Sequence, residues 1–135
     1  MHFGSRLLFD KNGNIFVSTG ERSSLQTRYN AQKLETAHGK VIHITPTGEP
    51  VPGNPFIDTP GALPEIYSFG HRNPQGLDIH PKTGELWLSE MGPRGGDEIN
   101  LIKPGKDYGW PTITSGIEYN GNIIGDGISQ HENME

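Results

Sequence analysis

Arg6-Leu7-Leu8-Phe9-Asp10-Lys11-Asn12-Gly13-Asn14-Ile15-Phe16-Val17-Ser18 is the stretch from which the fold can be read. Two β-prone runs flank an Asn-Gly pair, and such a pair supplies the positive φ angles that a tight hairpin turn needs. A polar loop from Gly20 to Gly39, nearly free of apolar pattern, follows. Next comes Lys40-Val41-Ile42-His43-Ile44, closed by a turn at Pro46-Thr47-Gly48. His43 lies between two isoleucines, so strand alternation predicts that it faces away from the core. Residues 49–64 carry several prolines and read as a long connection.

The same pattern then returns. Glu65-Ile66-Tyr67-Ser68-Phe69 alternates and is taken to open a second unit over 65–121. Gly76-Leu77-Asp78-Ile79, the turn Pro81-Lys82-Thr83-Gly84 and Leu86-Trp87-Leu88-Ser89 form its hairpin, and Glu98-Ile99-Asn100-Leu101-Ile102 is a further strand. Leu7, Gly13, Ile15, Val17 and Ser18 align with Leu77, Gly84, Leu86, Leu88 and Ser89. Ile42, Ile44 and Gly48 align with Ile99, Leu101 and Gly105. Repeated units of several short strands predict an all-β chain of propeller blades; a β-sandwich with two similar hairpins is the alternative. Residues 2–48 form the first unit, and 122–135 an irregular Gly/Asn-rich tail. Roughly two to three blades fit this length, whereas propellers carry about four to eight. The chain is therefore expected to be an internal fragment, residues 1–135 forming part of one propeller domain.

Composition agrees. With 19 Gly, 11 Pro and 31% hydrophobic residues, few stretches could run as helix without meeting a breaker. The net charge is −5 and no basic run is present, which argues against a nucleic-acid partner. No apolar run approaches the ~20 residues of a membrane helix. There is no Cys, so thiolate metal sites and disulfides are excluded. No phosphate-cradling glycine loop opens a helix, so a nucleotide cofactor is not supported.

Two stretches are dense in polar residues. In Gly70-His71-Arg72-Asn73-Pro74-Gln75-Gly76, Arg72 offers a planar fork of donors suited to carboxylates, and Asn73 and Gln75 add amides. The loop could bind a polyanionic, carbonyl-rich ligand or merely hydrogen-bond its own turn. In Glu90-Met91-Gly92-Pro93-Arg94-Gly95-Gly96-Asp97-Glu98, the carbonyls of Gly92 and Pro93 and the carboxylate of Glu98 could ligate calcium, which takes oxygen donors; solvated acids on a hairpin loop are the alternative. His2 and Glu21 could pair as a general base and its orienting acid. His38, His43, His71, His80 and His131 show no zinc spacing. Trp87 and Trp110 are expected to pack rather than to stack on a ligand.

Ser68-Phe69-Gly70-His71-Arg72-Asn73-Pro74-Gln75-Gly76, the run Ser89 to Leu101, Tyr108-Gly109-Trp110-Pro111 and His2-Phe3-Gly4-Ser5-Arg6 resemble, in order, motifs of the soluble pyrroloquinoline quinone (PQQ)-dependent glucose and aldose sugar dehydrogenases. The resemblance covers about residues 2 to 121. It implies a six-bladed propeller that oxidises aldoses at the anomeric carbon with PQQ and calcium, and passes electrons to an external acceptor. It makes His2 the general base and Glu21 its orienting carboxylate, a position where Asp is also used. It assigns Arg72, Asn73 and Gln75 to the cofactor, the Gly92 and Pro93 carbonyls to an active-site calcium, and Glu98 and the Tyr108 carbonyl to a second, structural calcium. Glu118 could complete that second site, though the local match is weak. The family's remaining basic cofactor contacts match nothing in this sequence, so the fragment alone is expected to be inactive. A periplasmic or secreted location is implied, although no signal peptide is visible. The alternative is a ligand-binding propeller of the same superfamily without redox activity.

Overall fold

The computed structural model describes residues 1–129 and residue 134. Seven strands form two antiparallel sheets: β1 (Leu7–Phe9), β2 (Ile15–Thr19), β3 (Lys40–Ile44) and β4 (Ile66–Phe69) in the first, and β5 (Pro74–Ile79), β6 (Leu86–Glu90) and β7 (Glu98–Ile102) in the second. Each sheet is a meander whose spatial order follows the chain. One 3-10 turn, Arg28–Gln32, interrupts the long loop after β2.

The hairpins form where the sequence places them. Phe9 pairs with Ile15, and Asp10 Oδ1 accepts from the N–H groups of Asn12 and Asn14, which closes the turn. Ile79 pairs with Leu86 across the second turn. Strand 66–69 departs from the expected grouping. It hydrogen-bonds β3, with Lys40 opposite Phe69, and so joins the first sheet instead of opening the second. The prolines of 49–64 mark only the excursion between two neighbours in one sheet. Gly70, at φ +78°, then turns the chain into the second sheet; a Cβ there would sit 2.1 Å from Asp107 Oδ1.

The core lies between the sheets. Phe16 and Val41 of the first meet Leu86, Leu88 and Ile102 of the second and Tyr108 of the loop that follows it. Alternation is clean in β6, where Leu86, Leu88 and Glu90 are buried and Trp87 is exposed. His43 corrects an expectation: it is buried, stacked on Phe16 at 4.0 Å, with Nε2 3.0 Å from Asp10 Oδ2 and Nδ1 3.2 Å from Asn54 Oδ1. His43 shares a face with Val41, two positions away, and sits opposite Phe16, so alternation turns it toward the core and leaves Ile42 and Ile44 half-buried on the other face. No helix among the described residues is long and apolar enough to cross a membrane.

Candidate active site

Antiparallel pairing decides where the polar residues go. The start of β1, the ends of β2 and β4, and the start of β5 lie at one end of the sheets, with the end of β6 and the start of β7. The tight turns at 10–14, 45–49 and 80–85 lie at the other end. His2, Glu21, Arg72, Asn73 and Gly92 are thereby gathered although they span ninety positions of the sequence.

His2 Nδ1 pairs with Oε1 of Glu21, a carboxylate only 1% exposed. Glu21 Oε2 accepts from Ser23 N–H, and Glu21 N–H donates to the Arg72 carbonyl at 3.0 Å. A carboxylate on Nδ1 fixes the proton there and leaves Nε2 as the basic nitrogen. Asn73 Oδ1 accepts from Gly4 N–H at 2.9 Å. Gly4 must be glycine for this approach, because a Cβ would fall 2.0 Å from the Pro74 carbonyl and 2.9 Å from Gln75 Nε2. Gln75 is the extra residue of a bulge: Pro74 pairs with Glu90 and Gly76 with Ser89. The bulge leaves Gln75 exposed.

Arg72 is 7% exposed. Its Nη1 donates to the Met91 carbonyl at 2.8 Å and the Gly92 carbonyl at 2.5 Å, its guanidinium stands 5.1 Å from the Trp110 ring centroid, and its Nε is buried without a partner. Beside it is a cavity of about 10 Å³, room for roughly one water-sized occupant. Arg72, Glu90, Gly92, Pro93, Glu98 and Tyr108 are among its lining residues. Burial, reinforced by the Glu90 charge, pushes the Glu98 carboxyl up to about 7. Among the described residues no three His, Cys, Asp or Glu side chains converge on a metal position. A cation in this cavity would therefore rely on backbone carbonyls as well as carboxylates.

The sequence of the Glucose / Sorbosone dehydrogenase family matches residues 1–135. This chain belongs to that family. Aldose sugar dehydrogenase YliI of Escherichia coli (strain K12) is 50% identical over 120 residues, which are 89% of this chain and 32% of YliI. The apo-form of the soluble aldose sugar dehydrogenase from Escherichia coli superposes with a TM-score of 0.92 at 44% identity, over 100% of this chain and 38% of that one. The PQQ-bound aldose sugar dehydrogenase from Streptomyces coelicolor superposes with a TM-score of 0.72 at 38% identity, over 96% and 34%. The chain spans about a third of the length of these relatives. Its two sheets are blades of a β-propeller.

Within this member of the family, the expected site residues fall into two groups. His2, Glu21 and Arg72 are joined by direct hydrogen bonds, Asn73 bonds Gly4 and Met91 beside them, and Gln75 lies next to Gly4. Gly92, Pro93, Glu98 and Tyr108 line the cavity next to Arg72. Glu118 stands apart from it, bonded to Arg28 Nη1 at 2.6 Å. Trp110 is buried, with Arg28 and Arg72 both within about 5 Å of its ring, and Trp87 is half exposed. His131 lies outside the described residues. Sequence reasoning gave no role to Glu90, which accepts from His71, Asn100 and the Arg72 backbone, nor to Lys40, which is fully buried. Strand alternation already put Glu90 on the buried face with Leu86 and Leu88, and that was the available signal.

Proposed function

We propose that the full-length protein is a PQQ- and calcium-dependent aldose dehydrogenase, acting outside the cytoplasm, that oxidises the anomeric carbon and hands electrons to an external acceptor. The observation that carries this reading is the direct join between base and ligand loop: Glu21, which holds His2, donates its N–H to the carbonyl of Arg72.

The residues fit the absent groups. The unpartnered buried Nε of Arg72 suits a ligand bearing carboxylates, as PQQ does. Arg72, with Asn73 and Gln75, would hold the quinone. The Gly92 and Pro93 carbonyls would hold the active-site calcium, and Glu98 with the Tyr108 carbonyl a structural one. Glu118, tied to Arg28, has no place in that second set in this arrangement. When bound, the cofactor supplies a hydride acceptor polarised by the cation. His2 Nε2 takes the proton of the anomeric hydroxyl, and Glu21 stabilises the imidazolium that forms. Arg72 already occupies the Gly92 carbonyl, so a cation there competes with the guanidinium for that oxygen.

Sugar-dependent dye reduction by the full-length protein tests the reading. Turnover should require PQQ and calcium together. Uptake of PQQ without dye reduction across a panel of aldoses would favour a ligand-binding propeller instead.

A further inference from the structure

Glu90 is assigned to neither proposed ligand, yet it bonds the Arg72 loop and lines the cavity with Glu98. It is 6% exposed and receives three donors. His71 Nδ1 and Asn100 Nδ2 reach Oε1 at 3.1 Å each, and Arg72 N–H reaches Oε2 at 2.6 Å. Ser68 Oγ lies 2.9 Å from His71 Nε2, and both residues are fully buried. A carboxylate oxygen accepts, so His71 Nδ1 donates to Glu90, and Ser68 Oγ holds the ring's other nitrogen. Three N–H donors converge on this buried carboxylate, and a carboxylate so buried calls for an opposite charge nearby. The Asn100 amide also reaches Glu98 Oε2 at 3.3 Å, so buried Glu90 and half-buried Glu98 share one side chain.

The cavity these carboxylates line has space for a single small occupant. Two further lining groups lack partners: Arg72 Nε and Trp110 Nε1. Both belong to residues more than nine-tenths buried. A small divalent cation would offset the carboxylates, and the two N–H donors are left for the oxygens of a neighbouring ligand.

We propose that Glu90, held by His71, is a positioning residue that ties the Arg72 loop to the cation carboxylate Glu98, and that its charge gives the adjoining cavity its affinity for a divalent cation. This rests on the reading that the site takes up a cation and PQQ. Residues that hold a ligand rather than touch the metal typically cost about 10–100-fold in metal affinity when replaced.

The test uses the full-length protein, stripped of metal, titrated with terbium and with calcium. Terbium emission sensitised by Trp110 and Tyr108 reports occupancy. Glu90→Gln and His71→Leu should each weaken binding about 10–100-fold, whereas His71→Asn, whose amide can still donate to Glu90, should stay within about threefold of wild type. With calcium saturating, Glu90→Gln should also weaken PQQ binding, followed by absorbance, because the Arg72 N–H loses its carboxylate. Glu49→Gln, on an exposed turn at the far end of the sheets, should change neither. A folded Glu90→Gln protein that binds both ligands like wild type overturns the proposal. If Glu90→Gln does not fold, equal terbium affinities for His71→Leu and His71→Asn overturn it. A wild-type protein that binds no cation defeats the parent reading instead, and the two failures are distinguishable.

Discussion

Three parts of Arg72 engage four neighbours. Its carbonyl accepts from Glu21, its N–H donates to Glu90, and its guanidinium holds the Met91 and Gly92 carbonyls. Residue chemistry made Arg72, Asn73 and Glu98 legible in the sequence, because their donor and acceptor types suit carboxylate and cation. It could not reveal Glu90 or His71 as a pair, because they lie 19 positions apart and meet only through the second sheet. Glu98 carries a pH dependence that can be signed. Its folded pKa of about 7 exceeds the ordinary 4.5. In the metal-free protein the folded state therefore holds a proton that the unfolded state has released. The Glu98 contribution to stability is full below the unfolded value and is lost as pH rises through about 7. Calcium requires the carboxylate, so the opposite trend holds for binding. Calcium affinity should fall by up to about tenfold per pH unit below about 7, with proton release on binding. Calorimetric titrations in buffers of different ionisation enthalpy check this; affinity flat from about pH 5 to 8 contradicts it.

At the scale of elements, the long loop after β2 looked structureless in the sequence because it lacks apolar periodicity. Its order comes from Lys40. The fully buried Nζ donates to the carbonyls of Asn30, Ala31 and His38 at 2.9, 2.9 and 2.6 Å. Burial pulls this ammonium down to about 7, opposed by Asp107 and Glu35. Gln32 extends the clamp by donating to Asp107 Oδ1 and the Trp110 carbonyl. A lysine at the start of a strand gives no hint of this, because its partners are carbonyls up to ten positions away. Lys40→Met should remove all three hydrogen bonds, leave the His38 carbonyl without its ammonium, and cost about 2–4 kcal/mol of unfolding free energy. Urea denaturation measures it, and a loss under about 1 kcal/mol would show that the clamp is not what orders the loop. The grouping of β4 failed for a related reason: a proline-rich connection announces a long path, not whether the path returns to the same sheet.

For the whole molecule, the internal repeat was enough to predict stacked antiparallel units, and these are the two blades observed. The site follows from their topology, since odd strands begin and even strands end on the same side. What pattern could not supply was the join between His2, Glu21 and Arg72, which depends on how one blade's loops meet the next. The central claim is that this join places a base beside a bound quinone. Its most direct test is stopped-flow reduction of the quinone by an aldose, without oxygen, in the full-length protein loaded with PQQ and calcium. His2→Gln should bind PQQ as wild type does and reduce it at least about 100-fold more slowly. Reduction at the wild-type rate by a fully loaded His2→Gln protein would contradict the account.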